Sequence, residues 1–170
     1  MIKVLGVDVG TAIVGWSVVQ YAPKSRNQMK IINYGVIRTS SKQDMPERLG
    51  IIWQELTQII KDYEPCHAAV ESLFYFKNQT TVMSVSQARG AILLACQQSG
   101  LRIAEYTPLQ VKTGVTGYGR ANKEQVQKMV KLILGLSEIP KPDDAADALA
   151  IAINHLNVIP VKEKQVKNGA

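Results

Sequence analysis

Apolar and polar positions follow two rhythms along this chain, and the switches between them mark the elements. Residues 1–9 form a nearly continuous apolar run, β-branched in part, that closes on Asp8 and Gly10. Such a run reads as a central strand buried on both faces. Gly10 and Thr11 make a turn, residues 12–21 read as a second strand, 23–28 as a polar loop and 29–39 as a third strand. Two short connections in a row imply an antiparallel meander. The spacing then changes to three and four. Leu49, Ile52, Trp53, Leu56, Ile59, Ile60 and Tyr63 stripe one face of a helix. Asp44 is placed to cap it, with Glu47 three residues on as in a capping box, and Pro65 stops it. His67–Glu71 is a short strand. A second helix over 79–99 carries Val82, Val85, Ala88, Ile92, Ala95 and Cys96 on one side and ends at Gly100. Residues 101–106 make a fifth strand. Asn122 caps a third helix with the stripe Val126, Met129, Val130, Ile133 and Leu134; Pro140 and Pro142 precede a last helix over 143–156. The expected order is βββαβαβαα. It predicts one α/β domain over 1–156, a mixed five-stranded sheet with strands 1, 4 and 5 parallel and helices on both faces, followed by a polar tail over 157–170.

Composition narrows the class. The chain has 170 residues, 46% hydrophobic and 20% charged, as in an ordinary globular domain. No apolar run approaches the ~18 residues of a membrane span, and the opening segment, with Asp8 inside it, reads as a strand and not a secretory signal. Cys66 and Cys96 form no CxxC pair and are expected to be buried free thiols of a cytoplasmic protein. The formal net charge is +6, unevenly spread: residues 107–141 carry a net +4, and residues 142–156 a net −3. A basic segment running into an acidic cluster fits an anionic polymer held beside a cation site; its ordinary alternative is a solvated helix face.

The candidate chemistry lies in the carboxylates. Asp8 sits inside one apolar strand and Glu71 ends another. A carboxylate so placed must be paired, protonated or metal-bound, because burying it alone costs several kcal/mol. Asp147 shares a helix face with both Asp144, three residues back, and Asp143, four back, so spacing leaves the choice between those two open. Asp143 is also well placed to be the helix N-cap. Each residue alone could be a cap or a solvated edge, but three such segments together are harder to dismiss. Carboxylates that converge without cations repel one another. A hard divalent ion removes that conflict, and oxygen-only ligands select Mg²⁺ or Mn²⁺. Zinc is disfavoured, since His67 and His155 are isolated; the first reads as packing at a strand entry, the second as remote from the acidic end of its helix.

Taken in order, LGVDVGT (5–11), AVESLFYFKN (69–78), SQARG (86–90), QVKTGVTG (110–117), NKEQVQKMV (122–130) and DDAADALAIAINH (143–155) resemble the RuvC family of Holliday junction resolvases. The likeness spans about residues 1–156. It implies a ribonuclease-H-like fold and crossover junction endodeoxyribonuclease activity. It implies Asp8, Glu71, Asp144 and Asp147 as acidic ligands of two Mg²⁺ ions, with Mn²⁺ as a substitute. Its D-A-A-D pattern favours Asp144 over the additional Asp143. It further implies symmetric cuts that leave 5′-phosphate and 3′-hydroxyl ends, a homodimer, four-way junction DNA as substrate, and the branch-migration proteins RuvA and RuvB as partners.

DNA contacts follow on the same footing. Three adjacent aromatics, Phe74, Tyr75 and Phe76, cannot all face one core, so one is free to stack on an unpaired base. The resemblance favours Phe74 for stacking, Lys77 for a phosphate, and Lys112 and Lys123 for DNA contact or catalytic support. Residues 113–121, with Gly114, Gly117, Gly119 and Arg120, read as a mobile loop meeting backbone phosphates. Rival readings are a non-catalytic junction-binding module, a phosphate hairpin of the actin-like ATPase and sugar-kinase type at Gly6–Thr11, and a ribonuclease H or a junction resolvase of another branch. The kinase type needs two lobes, more than 170 residues supply.

Overall fold

The structure is a computed structural model, and it describes residues 1–21, 28–72 and 79–159, with the backbone alone for 79–81. Five strands form one mixed sheet in the order β3-β2-β1-β4-β5. They are β1 (Ile2–Asp8), β2 (Ile13–Tyr21), β3 (Met29–Arg38), β4 (His67–Glu71) and β5 (Arg102–Tyr106). β1 and β2 pair antiparallel, as do β2 and β3, whereas β1–β4 and β4–β5 are parallel. The predicted meander and the predicted parallel set are both present.

The strands' two-residue period sorts side chains onto two helical layers. Leu5, Val7, Val14, Val18, Ala68 and Val70 face α1 (Met45–Tyr63) and α2 (Gln79–Gln98). Ile2, Val4, Val19 and Ala69 face the opposite layer. That layer consists of α3 (Pro108–Thr116), α4 (Lys123–Leu134) and α5 (Asp143–Val158). Asp44 does cap α1, accepting the Glu47 N–H at 2.9 Å. The chain leaves that helix through Glu64 in the left-handed region, at φ 48°.

α5 lies unusually close to the sheet. A Cβ on Gly15 would collide with the Asp144 carbonyl, and one on Gly6 with the Ala148 carbonyl. Ser17 Oγ donates to Ala148 O at 2.9 Å. The alanines of the last helix, all buried, are what permit this approach: Ala145, Ala148 and Ala152 each have no exposed surface.

Four expectations change. α3 is a helix that the chain's glycines had suggested was loop, so the order is βββαβαβααα. Its start is built by a capping box: Thr107 accepts from the Gln110 N–H, Gln110 returns the bond, and Pro108 occupies the first turn. Gly114 is packed, not mobile, because a side chain there would strike Asn154 of α5. Second, Asp143 is not the cap of α5. Pro142 holds that position and no side chain caps it. Third, α5 runs on to Val158, two residues past the expected end. Fourth, Cys66 is exposed, and only Cys96 is buried. The loop read at 23–28 falls almost entirely outside the described residues, as do Phe74 and Lys77 and most of the tail.

Candidate active site

The site forms where the central strands end. Period-two alternation puts Asp8 on the same face as Val4 and Gly6, and Glu71 on the same face as Ala69, so both carboxylates point toward the α5 layer. Val7 pairs with Val70 in the parallel register, which sets Asp8 and Glu71 side by side at the sheet's end. Across β1, Asp8 pairs with Gly15, the residue whose missing side chain lets the first turn of α5 settle onto β2. Asp144 and Asp147 thereby arrive from a third element. Residues far apart in sequence meet because strand register, face alternation and one glycine all agree.

The electrostatics show how crowded this corner is. Burial, and then the charges of Glu71, Asp147 and Asp144, push the Asp8 carboxyl up to about 8. Glu71 is raised chiefly by burial, and a hydrogen bond shared with Asp8 opposes part of that rise. Asp147 is also raised by burial, with Lys123 pulling the other way. Near neutral pH the Asp8–Glu71 pair therefore keeps a proton between its members.

Lys123, the first residue of α4, brings a cation to this corner. Its Nζ lies 3.0 Å from Asp147 Oδ2 and 3.4 Å from Asp143 Oδ2. Burial works against the ammonium, but its bonds to Asp147 and Asp143 outweigh that and hold its pKa above the ordinary lysine value. Beside these groups a cavity of about 280 Å³ opens between α3, α4 and α5. Glu71, Asp147, Lys112 and Lys123 form its polar wall, and Val111 and Val126 part of its apolar one.

The sequence-derived candidates thus divide. Asp8, Glu71, Asp144 and Asp147 are brought within electrostatic reach of one another. Lys112 and Lys123 come to the same cavity. Arg120 is exposed in the turn between α3 and α4 and is not part of the cavity wall. Phe74 and Lys77 lie outside the described residues. Among the described residues no three acidic or imidazole side chains stand at metal-ligand spacing. The donor set nonetheless fits a hard divalent cation: it is all oxygen, it is anionic, and it holds a proton at Asp8–Glu71 that such an ion would displace.

Two features escaped sequence reasoning. One is the tie between Asp143 and Lys123, hidden because a helix start and a neighbouring helix start are twenty residues apart in the chain. The other is a buried chain of rings. His67 Nδ1 lies 2.8 Å from His155 Nε2, and His155 Nδ1 lies 2.8 Å from the Tyr106 hydroxyl. No local signal announces it. The capping box at Thr107-Pro108-Leu109-Gln110 is, by contrast, a signal that could have revealed α3.

The chain is similar to known proteins in both sequence and fold. Residues 4–155 match the family described as crossover junction endodeoxyribonuclease RuvC. A protein of that name from Fusobacterium nucleatum is 56% identical over 155 residues, covering 91% of this chain and 80% of its own length. Another from Finegoldia magna is 53% identical over 154 residues, covering 91% and 92%. Among solved structures, Thermus thermophilus RuvC superposes with a TM-score of 0.85 at 35% identity, covering 92% of this chain and 94% of the other. The same protein in complex with a Holliday junction substrate gives a TM-score of 0.82 at 32% identity, with the same coverage.

Proposed function

The chain belongs to the RuvC family of crossover junction endodeoxyribonucleases, and on that premise we propose that it resolves four-way DNA junctions by hydrolysing phosphodiester bonds. The observation that carries this reading is the meeting of four carboxylates from β1, β4 and α5 beside a cavity lined by two lysines. One relative of this fold is seen with a Holliday junction bound. Nucleases of this family depend on a divalent metal. For this chain we assign two Mg²⁺ ions, with Mn²⁺ as an effective replacement, to Asp8, Glu71, Asp144 and Asp147.

Bound there, such ions supply an activated water and charge stabilisation at the scissile phosphate. The chain's own groups do the rest. Asp8 and Glu71, held at the ends of buried strands, are fixed in direction by the sheet itself. Asp144 and Asp147 are fixed by the close seat of α5 on Gly15. Lys112 and Lys123 present ammonium groups to the anionic substrate from the cavity wall. Val111 and Val126 give the cavity part of its apolar wall, and an apolar wall strengthens the charge interactions beside it. In the same reading Phe74 stacks on an unpaired base, and Lys77 and Arg120 contact phosphates.

One carboxylate set per chain makes one cut, so paired symmetric cuts call for a homodimer on the junction's own two-fold axis. α2 offers a surface for that contact, with Met83 69% and Leu94 50% exposed. The products are ends with 5′-phosphate and 3′-hydroxyl, which a ligase seals. The reading places the protein in the cytoplasm with the chromosome, working with RuvA and RuvB. No helix among the described residues is long and apolar enough to cross a membrane.

Incubation with a synthetic four-way junction and Mg²⁺, with an EDTA control, tests the proposal. Paired nicks that ligase can repair are the expected result. Binding without nicks would leave a junction-binding module instead, and preference for an RNA–DNA hybrid would indicate a ribonuclease H.

A further inference from the structure

Donors from three positions converge on a carboxylate that the proposed ligand set leaves over. Asp143 Oδ1 accepts from Gln127 Nε2 at 3.3 Å and from Lys141 Nζ at 3.3 Å. Its Oδ2 lies 3.4 Å from Lys123 Nζ. Lys123 at the same time donates to Asp147 Oδ2 at 3.0 Å. One ammonium is therefore shared between a ligand candidate and a carboxylate outside the ligand set. Gln127 is buried one turn along α4 from Lys123, on the same face. Its bond anchors Asp143 against the helix that carries the lysine. Asp143 itself is half-exposed, at 49%, and stands apart from the groups whose charges act on Asp8.

We infer that Asp143 is a positioning residue that takes over the Lys123 ammonium from Asp147 when a divalent cation binds, and keeps it at the cavity mouth. The inference rests on the reading of Asp147 as a metal ligand. An ammonium and a divalent cation compete for the same Asp147 oxygen. With no second anion in reach, the cation must break an ion pair and leave an unpaired positive charge beside itself. With Asp143 already 3.4 Å from Nζ, a small rotation of the lysine exchanges one carboxylate for the other. The ammonium stays paired and stays beside the cavity, where a phosphate would meet it. Lys141 and Gln127 hold the receiving carboxylate still while this happens.

The test is metal binding without DNA. Manganese chloride is titrated calorimetrically into the full chain, its Asp143→Ala, Asp143→Glu and Lys123→Ala variants, and the double variant Asp143→Ala/Lys123→Ala. Asp143→Ala is expected to weaken Mn²⁺ binding by about three- to five-fold, the size of effect an exposed ion pair produces. Asp143→Glu, whose longer carboxylate still reaches Lys123, recovers most of it. In the Lys123→Ala background the Asp143→Ala loss disappears, because there is no ammonium left to relocate. Junction cleavage by Asp143→Ala should need a correspondingly higher Mn²⁺ concentration for half its maximal rate. Unchanged Mn²⁺ affinity in Asp143→Ala overturns the inference. So does an equal loss with and without Lys123, which would mean that Asp143 acts on the ion directly. Either result leaves the nuclease reading intact. A parent protein that binds no Mn²⁺ overturns both, and one that binds Mn²⁺ but never nicks a junction overturns the nuclease reading alone.

Discussion

β4 carries polar side chains at both ends on one face, against one helix, and the two ends treat them in opposite ways. At its start, His67 meets His155 and, through it, Tyr106. Burial, helped by the charge of His67, lowers the His155 pKa to about 4, so the ring is neutral at any physiological pH. A neutral imidazole has one donor and one acceptor nitrogen, and both are used. At the strand's other end Glu71 meets Asp8, and burial drives both toward the neutral form as well. Here neutrality is a poor solution: Asp144 and Asp147 stand in the same corner, and Lys123 offsets only part of the charge. The first cluster is complete as it stands. Among the described residues the second sets four carboxylates against the Lys123 ammonium, an excess of negative charge that suits a cation. Burial thus accompanies a neutral hydrogen-bonded network in one place and a surplus of negative charge in the other, and the deciding factor is whether the partners supply their own protons.

The largest effect that separates the two ends is on catalysis. Asp8→Asn should lower junction nicking on the order of 10³-fold or more, while junction affinity, which rests on cations and stacking, stays within a few-fold. A single-turnover cleavage assay beside a binding titration checks this, and near-normal nicking would remove Asp8 from the catalytic set.

The complementary substitution acts on stability. His155→Leu leaves the Tyr106 hydroxyl buried without its ring partner and takes a bond from His67. It should cost about 1–3 kcal/mol, a drop in melting temperature of roughly 3–10 °C, with cleavage per folded molecule little changed. If activity fell in step with that of Asp8→Asn, the two ends would not be separable.

The ends should also respond to pH with opposite sign in EDTA. Asp8 holds its proton more tightly when folded, so its contribution is greatest below its unfolded value of 3.8 and is lost as pH rises through about 8. His155 holds its proton less tightly when folded, so its contribution is present above its unfolded value of 6.5 and is lost as pH falls toward about 4. Between pH 4 and 6.5 the two contributions oppose each other, so thermal melts from pH 4 to 9 should show stability falling mainly between about 6.5 and 8, where Asp8 acts alone. Asp8→Asn should flatten the alkaline limb between about 6.5 and 8 by about 1–2 kcal/mol and leave stability rising with pH below 6.5, whereas His155→Gln should leave it falling with pH there. An alkaline limb that survives in Asp8→Asn would place the retained proton elsewhere.

The smallest effect concerns the rim. Removing one phosphate contact with Lys112→Ala should reduce the slope of log affinity against log salt by about 0.9. An unchanged slope would mean that Lys112 faces the cavity without touching the backbone of the DNA.

Strand and helix positions were largely legible, because burial on a sheet enforces a period of two and burial on a helix a period near 3.6. α3 was not. Gly114 and Gly117 mark a loop by propensity, yet the first is required by Asn154 across the helix interface, and the second ends the helix at φ 73°. Asp8 and Glu71 were legible because an ionisable group inside an apolar strand conflicts with its surroundings. Asp143 was misjudged as a cap. A residue after proline at a helix start fits that role locally, and only the approach of α4 gives it Lys123 and Gln127 instead.

The linear order of residues determined which segments become strands and helices, which side chains share a face, and that three separate stretches each carry an ill-placed carboxylate. Those are consequences of local backbone geometry and of apolar burial, and both act over a few residues. The tertiary structure alone decided that these carboxylates meet, that Lys123 divides itself between Asp147 and Asp143, and that two lone histidines complete each other. Such pairings depend on strand register and helix approach, which are set by packing across the whole sheet and have no signature within any single segment.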